Sequence, residues 1–224
     1  MLKRTLVILD RDLGYKDQYL IKNILANFPE SQFDIINENL ATPTANTLRK
    51  IKDRLWYKNT EDSKLIGRVA QVLYGLRHPK FFCYLLNRLR SPDLVSFRCK
   101  NLKKIISRLA SPDDAIILSR SSGGRVASLV ADELNIKHLI CLGYPFKHPQ
   151  KDVEPERYLH LEHIKTPTLI IQGINDEYGG ADIQEKYKLS KKVEIFFVDT
   201  NHNFETSIQE LKKITDKIKN WSHC

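Results

Sequence analysis

Methionine occurs once and cysteine four times in 224 residues. The cysteines are Cys83, Cys99, Cys141 and Cys224, and no two have the close spacing of a metal knuckle or a dithiol redox motif. No apolar run approaches the roughly 20 residues of a membrane-spanning helix. Neither an internal repeat nor a low-complexity tract is visible, which excludes solenoid and fibrous architectures. No secretion signal is expected either. The start, MLKRTLVILDRD, is basic and then apolar, but the apolar run is only Thr5–Leu9 and gives way to charge with no small-residue cleavage site. That run reads as a first β-strand. Reduced cysteines in a cytoplasmic protein are the expectation. Cys141 lies in the apolar pattern His138–Leu142 and is expected to be a buried thiol.

Apolar residues make up 42% of the chain, ample for a packed core and too many for a disordered one. The length fits one domain, with room for an inserted subdomain. Formal net charge is +9, and it is unevenly placed. Residues 41–110 hold 16 Lys and Arg against 4 Asp and Glu, while the remainder carries a net charge of −3. The basic character therefore belongs to one segment.

Periodicity divides the chain into distinct stretches. Thr5–Leu9 and Phe33–Ile36 read as strands, separated by a helix over Lys16–Phe28 that Pro29 stops. From about Thr42 to Leu109 only helical spacing is found, ending in a helix over Asn101–Leu109. This stretch is far longer than the dozen or so residues a crossover between parallel strands needs. After Pro112 strands and helices alternate. Ala115–Ser119, His138–Leu142, Thr168–Gln172 and Val193–Val198 are strands; Gly124–Leu134, Ala181–Leu189 and Phe204–Trp221 are helices. Such alternation implies a three-layer α/β fold with a mostly parallel sheet covered on both faces. Ligands collect at the carboxyl ends of such strands, so motifs that follow strands carry the most weight.

Three of those motifs bear chemistry. Ser119-Arg120-Ser121-Ser122-Gly123-Gly124 lies between a strand and a helix. A nucleophile elbow is a strained strand-to-helix turn with small residues two positions to either side of its tip, because the neighbouring backbones pass close by. Around Ser121 those flanks are Ser119 and Gly123. Ser122 would supply the first backbone N–H of an oxyanion hole. The competing reading is a Gly/Ser-rich turn that caps the next helix. Gln172-Gly173-Ile174-Asn175-Asp176 follows a strand and offers a carboxylate to orient a histidine, with Glu177 as its neighbour and competitor. Asn201-His202-Asn203-Phe204 follows the last strand, and His202 ranks above His138, His148, His160 and His163 because none of those directly follows a strand. Taken together, Ser121, Asp176 and His202 stand in the Ser…Asp…His order of α/β-hydrolases.

The runs LSRSSGGRVASLVADELNIKHLICLGYPFKHP, HLEHIKTPTLIIQGINDEYGG and DTNHNF resemble the small dienelactone-hydrolase-like group of α/β-hydrolases. The resemblance spans about residues 111–206. It implies a three-layer α/β-hydrolase fold and places nucleophile, acid and base on Ser121, Asp176 and His202. The chain departs from the group in two places. The loop after the first strand, usually His-Gly followed by small residues, is Asp10-Arg11-Asp12-Leu13-Gly14 here. That loop should give the second oxyanion N–H, from Arg11 or Asp12. The other departure is the helical insert at about 41–98, which reads as a lid or docking surface.

Within the insert, Arg49, Lys50, Lys52, Arg54 and Lys58 cluster with Trp56 and Tyr57, and Arg77, His78, Lys80, Arg88 and Arg90 surround Phe81 and Phe82. No nucleic-acid-binding signature accompanies them, so the choice lies between a solvated basic face and a surface for an anionic membrane or acidic ligand. Two functions stay open. One is hydrolysis of a small acyl substrate by a Ser-His-Asp triad with no metal or organic cofactor. The other is a catalytically impaired hydrolase fold that binds or scaffolds through the basic insert. Oligomeric state is not encoded in any feature of the sequence.

Overall fold

A computed structural model of the chain describes residues 3–11, 18–29, 31–37, 73, 76–77 and 93–222. The chain divides into two compact units, Met1–Glu38 with Cys99–Cys224, and Asn39–Arg98. The second coincides closely with the basic insert, and nearly all of it, including both basic-aromatic clusters except Arg77, lies outside the described residues.

Six strands form one sheet: β1 Arg4–Leu9, β2 Phe33–Asn37, β3 Ile116–Arg120, β4 His138–Leu142, β5 Thr168–Gly173 and β6 Val193–Val198. Their order is β2-β1-β3-β4-β5-β6, and every neighbouring pair is parallel. The described helices are α1 Gln18–Leu25, α2 Leu94–Ile106, α3 Ser122–Leu134, the single turn α4 Ile183–Lys186, and α5 Ile208–Ser222. Strands β3, β4 and β5 are buried along their whole length, which explains why they read as unbroken apolar runs rather than alternating ones. One face, carrying Leu6, Ile8, Ile116, Leu118, Ile140, Leu142, Leu169 and Ile171, packs with Leu20, Ile21 and Ile24 of α1 and Leu211, Ile214 and Ile218 of α5. Alternate residues, Val7, Leu9, Ile117 and Leu139, are equally buried on the opposite face, where α3 packs on β3 and β4. The expected three-layer α/β architecture is the observed one.

Several boundaries differ from the sequence reading. Strand β3 runs one residue further and takes in Arg120, and α3 starts at Ser122 rather than Gly124. Helix α2 begins at Leu94, seven residues before the expected Asn101, because Asp93 caps it: Oδ1 accepts from the Ser96 amide at 2.7 Å and Oδ2 from the Ser96 hydroxyl at 2.8 Å. The residues that read as a breaker, Ser91-Pro92-Asp93, thus lead into a helix start. The helix expected over Ala181–Leu189 shrinks to one turn. Helix α5 starts at Ile208 rather than Phe204, because Phe204 adopts a left-handed backbone (φ 56°) that no helix accommodates. Among the described residues no helix is long and apolar enough to cross a membrane.

Two histidines sit away from the carboxyl ends of the strands. His138 opens β4 edge-on to Trp221, with neither ring nitrogen hydrogen-bonded among the described residues. Burial, helped by Lys137 and Arg4, lowers its pKa. His160 Nε2 lies 2.8 Å from Ser128 Oγ on α3 and 3.3 Å from the Tyr144 hydroxyl. Burial first, and then the Arg125 charge, bring its pKa down to about 4. Both residues are therefore neutral in the folded protein where the unfolded chain, at 6.5, has begun to take up protons. Acid then favours the unfolded state. Thermal midpoints should be level above pH 6.5 and fall between 6.5 and about 4, and His160→Gln should flatten a measurable part of that slope in a calorimetric pH series.

Candidate active site

The sheet order places a switch point between β1 and β3, where the chain first builds outward to β2 and then returns to the other side of β1. A crevice opens at the carboxyl ends of strands at such a point. Ser121 follows β3 and the Asp10–Arg11 segment follows β1, so both belong to this crevice.

Ser121 has φ 49° and ψ −117°, a conformation that costs a non-glycine residue about 1–3 kcal/mol. Its surroundings hold it there. The Ser121 amide donates to Leu142 O at 3.0 Å, and Ser121 O accepts from the Gly124 amide at 2.8 Å. Beneath the turn, Gly123 lies against the end of β1: a Cβ built there would overlap the carbonyl oxygen of Leu9 and come within 2.9 Å of that of Asp10. At the other flank the Ser119 hydroxyl donates to Ile140 O at 2.8 Å and lies 3.2 Å from Cys141 Sγ, so the larger residue is accommodated between β3 and β4. The Cys141 thiol, fully buried, has its pKa pushed up to about 12 by that burial and is inert.

Ser121 Oγ is 2.9 Å from His202 Nε2. On the other side of the ring, Nδ1 lies 2.9 and 2.8 Å from the two carboxylate oxygens of Asp176. A carboxylate accepts, so Nδ1 carries the proton and Nε2 presents its lone pair to the serine hydroxyl. All three side chains are buried. Asp176 is itself oriented: Oδ1 accepts from the Tyr178 amide at 2.8 Å, and Oδ2 from Gln172 Nε2 at 2.8 Å. The Gln172 amide is fully engaged, since Nε2 also donates to Gly179 O at 2.6 Å and Oε1 accepts from the Tyr144 amide at 2.8 Å. The Tyr178 ring lies 4.2 Å from the imidazole, centroid to centroid.

The structure thus brings Ser121, Asp176 and His202 to one rim of the sheet. Glu177, the competing carboxylate, is exposed beside it. Ser122 is the first residue of α3, where the helix dipole favours negative charge. The Arg11 guanidinium donates to Asn203 Oδ1 at 3.3 Å, next to the histidine, and Asp12 lies outside the described residues. His148 meets Tyr178 edge-on, while His163 is exposed. No group of three or more His, Cys, Asp or Glu among the described residues could hold a metal ion.

Sequence reasoning missed Gln172 and Tyr178 as parts of this site, and missed the contact of Arg120 with the His202 backbone. A signal existed for two of them. Gln172 is the one amide in the apolar strand TLIIQG, and Arg120 the one charge in IILSR. Polar groups in fully buried strands need partners, and here the partners belong to the site.

Residues 81–223, well over half of the chain, match the model of the alpha/beta hydrolase domain family. The chain belongs to that family. No curated protein matches it. Among solved structures, this hydrolase-family chain is similar to an alpha-beta serine hydrolase homologue from Coxiella burnetii, at 13% identity over 97% of this chain and 84% of that one, with a TM-score of 0.58. It is also similar to the esterase domain of a Rhodothermus marinus protein (9% identity, 98% and 85% covered, TM-score 0.57). A third similar structure is an alpha/beta serine hydrolase without a lid from Xanthomonas campestris (14%, 98% and 82%, TM-score 0.56). These likenesses establish the fold of the hydrolase-family chain.

The elbow makes a sharp distinction between its two glycines. A Cβ on Gly124 would stand 3.2 Å from Cys141 Sγ, which a small side-chain shift relieves, whereas one on Gly123 meets backbone. Gly123→Ala should cost about 2–3 kcal/mol more than Gly124→Ala in chemical unfolding.

Proposed function

We propose that this chain is a serine hydrolase that cleaves an ester, thioester or similar acyl bond of a small substrate. One observation carries the reading: the Ser121 hydroxyl lies 2.9 Å from Nε2 of an imidazole whose Nδ1 lies 2.8 Å from a buried carboxylate. Hydrolase-fold neighbours described as serine hydrolases and an esterase support the same class.

In this reading Ser121 Oγ attacks the substrate carbonyl while its proton passes to His202 Nε2. Asp176 fixes the tautomer and stabilises the imidazolium. Collapse of the tetrahedral intermediate expels the alcohol or thiol, which takes the proton from Nε2. Water, deprotonated by the same nitrogen, then releases the acid and restores Ser121. The oxyanion would be held by the Ser122 N–H and by an N–H of the loop after β1, at Arg11 or Asp12. The chemistry calls for no metal or organic cofactor.

The test is labelling by a fluorophosphonate probe and turnover of short p-nitrophenyl esters. Ser121→Ala should abolish labelling, and Ser121→Ala and His202→Ala should each lower kcat by about 10⁴–10⁶-fold, with Asp176→Asn losing about 10⁴-fold. Labelling that persists in Ser121→Ala would overturn the assignment. A wild-type protein that is folded by circular dichroism yet unreactive would favour the alternative, a non-catalytic hydrolase fold that binds an acidic ligand through its basic insert.

A further inference from the structure

The residue just before the proposed nucleophile is an arginine with no solvent exposure at all. A guanidinium stays charged at any accessible pH, so burying it is costly unless every face is engaged. Its contacts are specific. Nη1 donates to Leu142 O at 3.0 Å, at the end of β4. Nη2 donates to the backbone carbonyl of His202. Cζ sits 4.9 Å from the centroid of the Phe204 ring, a cation over an aromatic face. Phe204 is the residue in the left-handed conformation, two positions after the histidine.

The place of Gly143 fits this arrangement. It has φ 62°, and a Cβ built on it would stand 2.7 Å from Arg120 Nη1 and 3.4 Å from Asp176 Oδ2. Guanidinium and carboxylate therefore flank the same glycine, so the buried positive charge has a buried negative one nearby. Only a residue without a side chain lets both approach.

We infer that Arg120 is a positioning residue: it ties the His202 loop to the end of β4 and so sets the imidazole between Ser121 and Asp176. The loop Asn201–Phe204 leaves β6, the outermost strand on that side, whereas Ser121 follows β3 in the middle of the sheet. Arg120 bridges the intervening distance from the residue next to the nucleophile. It acts through the backbone of His202. The inference rests on the hydrolase reading for its kinetic consequence, but not for its structural one.

The experiment compares wild type, Arg120→Lys, Arg120→Met and Phe204→Leu. The first readout is the proton resonance of His202 Nδ1–H, expected far downfield of the amide envelope, assigned by its loss in His202→Gln. Kinetics on p-nitrophenyl acetate are the second. Lysine keeps the charge but lacks the planar fork that reaches two carbonyls at once. Arg120→Lys should stay folded, broaden the downfield resonance and lower kcat about 10–100-fold, with KM within about twofold. Arg120→Met should lose the resonance altogether. Phe204→Leu, which removes the ring but no hydrogen bond, should retain the resonance and lose less than about tenfold in kcat. A folded Arg120→Lys with wild-type resonance and kcat would overturn the inference, and it decides the matter if Arg120→Met does not fold. Should wild type prove unreactive, a resonance present there and lost in the Arg120 variants still supports the tie while the hydrolase reading falls.

Discussion

The close approach of two backbones at Gly123 sets up everything else in the site. The carbonyls that end β1 occupy the space a side chain would need, and the chain turns from β3 into α3 with only Ser121 between. A turn that abrupt forces Ser121 into an unfavourable conformation and sets its hydroxyl 2.9 Å from His202 Nε2. Strain of this kind persists only where the surroundings over-determine it. Here the amide of Ser121 is bound to β4 and its carbonyl to the first turn of α3.

Around that fixed point the partners are held by nested hydrogen bonds. His202 is oriented by Asp176, Asp176 by Gln172 and the Tyr178 amide, and Gln172 by Tyr144 and Gly179. No member of the series is left with an idle amide or carboxylate oxygen. Buried polar networks are stabilising when complete and costly when broken. This explains how a parallel sheet with an apolar interior tolerates an amide and a guanidinium at the ends of its central strands.

The parallel sheet was legible in the sequence because β3, β4 and β5 are buried on both faces and so appear as largely apolar runs without alternation. Ser121, Asp176 and His202 were legible as candidates because each lies in the segment just after a strand. What brings them together was not, since it depends on the strand order and on backbone angles at Ser121 and Phe204 that composition does not express. Arg120 and Gln172 escaped notice for a related reason. Most of their partners are main-chain atoms, and no local pattern marks a contact of that kind. The helix at Leu94 was hidden by its own cap, because Asp93 after a proline looks like a terminator when it is in fact a start.

The strand order bears on the history of the molecule. The segment of about sixty residues that follows β2 departs from the outermost strand of the sheet, which has β1 as its one neighbour. Lengthening a connection costs little in closure entropy, about 0.6 kcal/mol for each doubling. An insertion after an edge strand also leaves the register of β3, β4 and β5 untouched. Relatives could therefore gain, trim or exchange this segment without disturbing the rim that carries Ser121, Asp176 and His202, and divergence within such a lineage should concentrate there while the second half of the chain stays recognisable.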